Sequence, residues 1–217
     1  MSDRNLVLLL SLLGLPAMAE TVSVNFVGNA GAGGSVAAGD TAGVAPAAHW
    51  NDVTTSGSAL VDDSGAASPI TVTFSVGGWA NPENGGDSPD ARLMKGYLDI
   101  GGPGATTVTL NGLDPAKTYR VYLYSDGQNA SFGEPVSRTG TFVLGGITTG
   151  ITDTAGEQFE GAYQRVYPGT TGEGNYTDVN LTGSASYSIS IRGSAADGLD
   201  NLFRAPLNAL QIVAVAE

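Results

Sequence analysis

The chain has 217 residues, of which 32 are Gly and none Cys, with 9 Lys plus Arg against 21 Asp plus Glu, a formal net charge of −12. The lack of cysteine excludes thiolate catalysis, Cys-ligated zinc and iron–sulfur clusters, and the single histidine, His49, excludes a multi-histidine metal site. The acidic balance argues against nucleic acid and anionic membrane surfaces as partners, because both are met with clustered Lys and Arg.

The chain opens with an apolar run, Asn5-Leu-Val-Leu-Leu-Leu-Ser-Leu-Leu-Gly-Leu-Pro-Ala-Met-Ala19. It is shorter than the roughly 20 residues a membrane span needs. It suits the apolar region of a secretory signal peptide, with Pro16 breaking the helix and Ala17-Met18-Ala19 fitting a small-x-small cleavage site. The expected mature chain starts at Glu20, although Asp3 offsets Arg4 in a region that is usually basic. A secreted chain without cysteine suits bacterial export.

From residue 20 onward the dominant pattern is period-two alternation, which predicts strands. Val22, Val24 and Phe26 alternate with Thr21, Ser23 and Asn25. The stretch 28–43 is Gly-rich but lacks the Gly-Lys-Ser/Thr ending of a phosphate loop, so it reads as a flexible surface connection. Ile70, Val72, Phe74 and Val76 form a second strand; Val108 and Leu110 a third; Tyr119, Val121 and Leu123 a fourth; Tyr187, Ile189 and Ile191 a fifth; Leu210 and Ile212 the last. Each is expected to bury one face and turn its Ser, Thr and Asn to solvent. About ten such strands predict an all-β, antiparallel, jelly-roll-like β-sandwich of one domain, 20–217. Tyr119 opens its strand after a Gly- and Pro-containing turn, the position of a tyrosine corner. The first and last strands are expected to be sheet neighbours.

Several segments together resemble a family: Val24-Asn-Phe-Val-Gly28, Ala48-His-Trp-Asn-Asp52, Leu60-Val-Asp-Asp-Ser-Gly65, Asp90-Ala-Arg-Leu-Met-Lys-Gly-Tyr-Leu-Asp99, Tyr119-Arg-Val-Tyr-Leu-Tyr-Ser-Asp-Gly127 and Asn208-Ala-Leu-Gln-Ile-Val213. They resemble secreted bacterial β-sandwich modules, loosely similar to malectin-like and galactose-binding-like domains. The resemblance implies a jelly-roll-like sandwich and contact with carbohydrate. It brings no catalytic motif.

Three constellations are candidates for binding. In the irregular stretch 77–92, Trp79 offers a face on which a sugar stacks, with Asn81, Glu83, Asn84, Asp87 and Asp90 as partners for hydroxyls; the alternative is that Trp79 folds back onto the sandwich. On the strand 119–126, Arg120, Tyr122, Tyr124 and Asp126 share one face. If that face is open, the tyrosines form a stacking platform; if covered, they are core. Asp87 and Asp90 are the candidate Ca²⁺ ligands, with Asp62-Asp63 and Asp197/Asp200 as further acidic pairs, since Ca²⁺ collects oxygen donors. No Gly-x-Ser-x-Gly elbow accompanies His49, and no carboxylate pair stands out for hydrolysis. The sequence therefore predicts a secreted, non-catalytic sandwich whose partner is an extracellular glycan or matrix. The alternative is a structural subunit that assembles with other copies of itself through exposed strand edges.

Overall fold

The computed structural model describes residues 20–81, 84, 86–128, 136–194 and 203–216. The expected leader, 1–19, lies outside them. Among the described residues the strands are β1 (Thr21–Asn25), β2 (Trp50–Asp52), β3 (Thr71–Thr73), β4 (Gly78–Ala80), β5 (Gly96–Gly101), β6 (Thr106–Asn111), β7 (Thr118–Tyr124), β8 (Arg138–Leu144), β9 (Ile147–Asp153), β10 (Thr171–Glu173), β11 (Tyr176–Thr182), β12 (Ser186–Gly193), β13 (Arg204–Leu207) and β14 (Ala209–Ala214). One short α-helix, α1 (Pro89–Leu93), and a single 3-10 turn, Gly31–Gly34, interrupt them. The helix forms inside the stretch read as irregular: Ser88 caps it by accepting from the Ala91 N–H at 3.1 Å, and Pro89 fits the first turn.

The strands form three sheets, ordered β11-β7-β14-β1-β2, β10-β9-β8-β12-β6-β3 and β13-β5-β4. The fold is the expected all-β sandwich, antiparallel except where β1 pairs with β2 and β9 with β10. The terminal strands are neighbours, Thr21 opposite Val213 and Asn25 opposite Ala209. The inner faces meet in one core. Val22, Val24, Val121, Leu123, Leu210 and Ile212 come from the first sheet, and Val108, Leu110, Phe142, Ile151, Ile189 and Ile191 from the second. The small third sheet adds Leu98, Ile100, Ala205 and Leu207. Each of the larger side chains stabilises the fold by roughly 1.5–3 kcal/mol through burial. The tyrosine corner is present: the Tyr119 hydroxyl accepts from the Asp114 N–H at 3.0 Å. Phe74 departs from the expectation of full burial. It lies just past the end of β3, half-buried, with its ring edge-on to Phe26 at 5.5 Å between centroids.

The first sheet corrects a broader expectation. Its polar face is not solvated, because Ser23, Asn25 and Gln211 are fully buried. A second apolar layer covers them, built from Val36, Ala42, Trp50, Leu93, Met94, Phe159 and their neighbours. The Gly-rich stretch 28–43 is part of this cover rather than a free surface connection. The Gly34 carbonyl accepts from the Asn25 side chain at 2.7 Å, and the Ala42 carbonyl accepts from the Trp50 indole at 3.3 Å. Farther along, Gln211 accepts from the Ala45 N–H at 3.3 Å and donates to the Ala45 carbonyl at 2.7 Å and to Ser23 at 3.1 Å. Ser23, Gln211 and the Asn25 amide nitrogen thus take from the covering layer, or from each other, bonds they would otherwise need from water.

Candidate functional site

Period-two alternation in the third sheet builds the site. Leu98 and Ile100 of β5 and Ala205 and Leu207 of β13 point into the core, so Tyr97, Asp99, Arg204 and Pro206 point away from it. β4 adds Trp79 directly opposite Tyr97. Facing this row are Gly127 and Gln128, beyond the end of β7, and Val136, Arg138 and Asp153. Together they enclose a cleft of about 290 Å³, near the lower end of the roughly 300–1,000 Å³ usual for ligand sites.

The second wall depends on a tight turn. Leu144 pairs with Ile147 across Gly145-Gly146, both at positive φ (59° and 80°), as a two-residue hairpin turn requires. That register carries along the ladder to its far end and sets Arg138 opposite Asp153. Both lie on the face that carries Phe142 and Ile151, where the apolar core gives way to the cleft.

Trp79 is 44% exposed, and its indole donates to the Gln128 side chain at 3.4 Å. Tyr97 beside it is buried; that burial, and secondarily the Asp99 charge, pushes its phenol pKa up. Asp99 accepts from Arg204 Nη1 through both carboxylate oxygens at 2.5 Å. Asp153 accepts from the Gly127 N–H at 2.9 Å. It also lines a second, acidic cavity of about 390 Å³, with Asp126, Glu157, Glu160, Phe159 and Asn175. Burial is the main reason the Asp126 and Asp153 carboxyls are pushed up, to about 7 and about 8. The Asp126 charge adds to the rise at Asp153, while the Gly127 N–H and Arg138 oppose it. For Asp126, hydrogen bonding from Asn84 opposes the rise and Glu157 adds to it.

Among the described residues, Trp79 alone of those singled out in the sequence reaches this cleft. Asn81 is 1% exposed and donates to the Gly127 carbonyl at 3.0 Å, so it supports the cleft from below. Asn84 is equally buried, donating to Met94 and Asp126 and accepting from the Phe159 N–H. Glu83 lies outside the described residues, as do Asp197 and Asp200. The stacking platform is corrected outright. Tyr124 is fully buried in the covering layer, its hydroxyl bonded to Gln211 and accepting from the Val44 N–H, and Tyr122 is buried on the same face under the Arg120 guanidinium.

The two candidate Ca²⁺ ligands stand in different surroundings. Asp90 Oδ1 already accepts from the Gly43 N–H at 2.8 Å and the Tyr163 hydroxyl at 2.7 Å, which fastens the covering layer to α1. The Asp87 side chain is 98% exposed, with Lys95 at 3.8 Å. Asp62 accepts from Ser64 and Ala66 within its own turn, and those bonds, the Ser64 hydroxyl first, lower its pKa. Among the described residues no group of three or more His, Cys, Asp or Glu is placed to hold a metal ion, and no helix is long and apolar enough to cross a membrane.

The sequence does not single out Tyr97, Asp99, Gln128, Arg138, Asp153 or Arg204. A signal for two of them is present in it, since Tyr97 and Asp99 alternate with Leu98 and Ile100.

No family model matches the sequence, and no curated protein does. Three solved structures are similar in part. The plant receptor-like kinase ANX1 matches with TM-score 0.37 and 14% identity over 59% of this chain and 33% of its own. The mosquito-larvicidal Cry4Aa toxin from Bacillus thuringiensis matches with TM-score 0.33 and 11% identity over 68% of this chain and 24% of its own. TmCBM61, solved in complex with β-1,4-galactotriose, matches with TM-score 0.23 and 13% identity over 68% of this chain and 85% of its own. The chain therefore spans a third or less of the first two proteins, and likenesses this distant assign it to no family.

Proposed function

We propose that the chain is a secreted, non-catalytic β-sandwich that binds extracellular carbohydrate in the cleft beside Trp79. One observation carries this reading. An indole 44% exposed stands on a strand at the lip of a cleft whose other walls set Asp99, Arg138, Asp153 and Arg204 among the apolar Val136 and Pro206. Sugars need that combination, because their C–H faces stack on aromatic rings while their hydroxyls need fixed donors and acceptors. The Asp99 carboxylate supplies acceptors, the Asp153 carboxyl both donates and accepts, and the guanidiniums of Arg138 and Arg204 supply donors. Mounting these groups on paired strands fixes their spacing before a ligand arrives, which lowers the entropy lost on binding. The apolar leader pattern of residues 5–19 supports export.

A glycan array followed by calorimetry on the best ligand tests the reading. Trp79→Ala should weaken that ligand at least about tenfold, corresponding to ~1.4 kcal/mol, with the far-UV spectrum unchanged. Equal affinity in the variant would remove the cleft from the binding surface.

A further inference from the structure

The segment 165–167 runs beside β11, with Arg165 bridged to Tyr176 and the Val166 N–H donating to the Tyr176 carbonyl at 2.8 Å. Val166 points into the core, so Arg165 and Tyr167 point outward. On the sheet beside them Val121 and Val179 also point inward, which turns Arg120, Tyr122 and Asp178 to the same outer face. The covering layer stops short of this end, where the Arg120 side chain is 42% exposed, that of Arg165 31% and Tyr167 64%. Arg120 Nε donates to Asp178 Oδ2 at 2.6 Å, and Arg165 Nε lies 2.6 Å from Oδ1 of the same buried carboxylate. Each guanidinium also lies over a tyrosine ring, Arg120 over Tyr122 at 5.3 Å and Arg165 over Tyr167 at 4.7 Å from the centroid. Tyr167 is held in turn: its carbonyl accepts from the Thr170 N–H at 3.1 Å across Pro168 and Gly169, and Gly169 has the positive φ, 83°, that a type II turn requires.

We infer that this face is a second binding site, separate from the cleft, which takes the carboxylate or sulfate groups of an acidic polysaccharide. Asp178 occupies the Nε of both guanidiniums, and among the described residues no hydrogen bond engages their Nη nitrogens. Two positive groups share one buried carboxylate, so the face keeps one formal positive charge. The carboxylate and the two rings hold the guanidiniums in place before a ligand arrives. A planar, weakly hydrated guanidinium then meets two oxygens of an anion with paired bonds. Charges beyond about 8 Å are largely screened at physiological ionic strength, so the negative charge spread over the rest of the chain is felt weakly here. Tyr167 directs the site to sugar: its exposed ring gives the contact that the C–H face of a pyranose needs, while the guanidiniums take the acidic substituent. Nucleic acid fits poorly, because two guanidiniums are far fewer than the phosphate contacts that hold such partners.

The test titrates the full chain, by calorimetry, with an oligouronate, with its neutral methyl ester and with a sulfated oligosaccharide. At least one acidic form should bind, and whichever does identifies the acidic group. It should bind at least about tenfold more tightly than the neutral ester, the scale of a hydrogen bond to a charged group, and added salt should weaken it. Arg165→Gln should lower that affinity by a similar factor. So should Tyr167→Ala, which removes an exposed ring and leaves both contacts with Asp178 in place; it decides the matter if Arg165→Gln fails to fold by its far-UV spectrum. Trp79→Ala should leave the affinity unchanged. An ester bound as tightly overturns the inference, as does binding lost in Trp79→Ala and kept in folded Arg165→Gln and Tyr167→Ala. Failure of both acidic forms to bind overturns it and leaves the reading of the cleft standing. A polyglutamate peptide bound as tightly as the saccharides overturns the polysaccharide as the partner.

Discussion

A Cβ atom placed on Gly28 would lie 1.9 Å from the carbonyl oxygen of Trp79. Gly28 also takes a positive φ of 54°. The backbone after β1 thus runs directly against β4 and fixes where the indole stands. Gly31 offers a matched control, with a φ of 55° and nothing within 4 Å of the place a Cβ would take. Gly31→Ala should cost about 1–2 kcal/mol, the penalty of the left-handed conformation. Gly28→Ala should cost clearly more, at least about 3 kcal/mol, because backbone has to move as well. Urea unfolding of both variants checks the difference, and equal losses would show that Gly28 does not restrain β4.

Asn208 is fully buried and its side chain makes three bonds: to the Met94 carbonyl at 2.9 Å, to the Gly96 carbonyl at 3.0 Å and from the Asp126 N–H at 2.7 Å. It joins the end of β13 to the loop that follows α1. Asn208→Ala leaves all three backbone groups without that partner and should destabilise by about 3 kcal/mol or more. The melting midpoint in urea measures it.

Stability should fall as pH rises through the neutral range. In the folded chain Asp126 and Asp153 titrate near 7 and 8, well above the usual 3.8. Between the ordinary and the raised values the folded state holds protons that the unfolded chain has lost, so raising pH favours unfolding. The contribution is complete below the ordinary carboxylate range and is lost by about pH 8. A thermal melt series across the weakly acidic to weakly basic range should show a decline that Asp153→Asn flattens. A rising melting temperature over the same range would contradict this.

Exported protein should begin at Glu20, by mass spectrometry of the intact chain. Glu20 already takes part in the sheet edge: its carbonyl accepts from the Ala214 N–H at 2.8 Å and its carboxylate meets Lys117 at 3.2 Å. Recovery of folded, exported chains that still start at Met1 would contradict cleavage.

Lys117 makes that contact in the folded protein with a raised pKa, chiefly through its hydrogen bond to Glu20. Such pairs are invisible in a sequence because their members lie far apart along the chain. The strands are legible because alternation is local: Val22 and Val24, or Ile189 and Ile191, announce a buried face by spacing alone. The Asp114–Tyr119 corner is legible for the same reason. The outer face of the first sheet is not. Ser23 and Gln211 look like solvent-facing residues, and only the folding of residues 28–47 across them makes them interior. Trp79 stands out by its own chemistry, whereas Arg204 and Asp153 acquire a role only when the sheets bring them to one cleft. The role of Asp90 is not legible either, because a carboxylate that fastens two segments, as it does, has the same sequence signature as one that holds an ion.

β14 lies inside the first sheet, with β7 on one side and β1 on the other. Both neighbours come from far upstream, β1 so far that Thr21 pairs with Val213. During synthesis β1 and β7 must therefore wait for their shared neighbour until everything between has been made. Folding depends on contacts of very long sequence separation, which makes it slow. During that wait two strands expose unpaired backbone toward the same missing strand, and such edges invite pairing between chains. The large negative charge of the chain opposes such pairing by keeping copies apart.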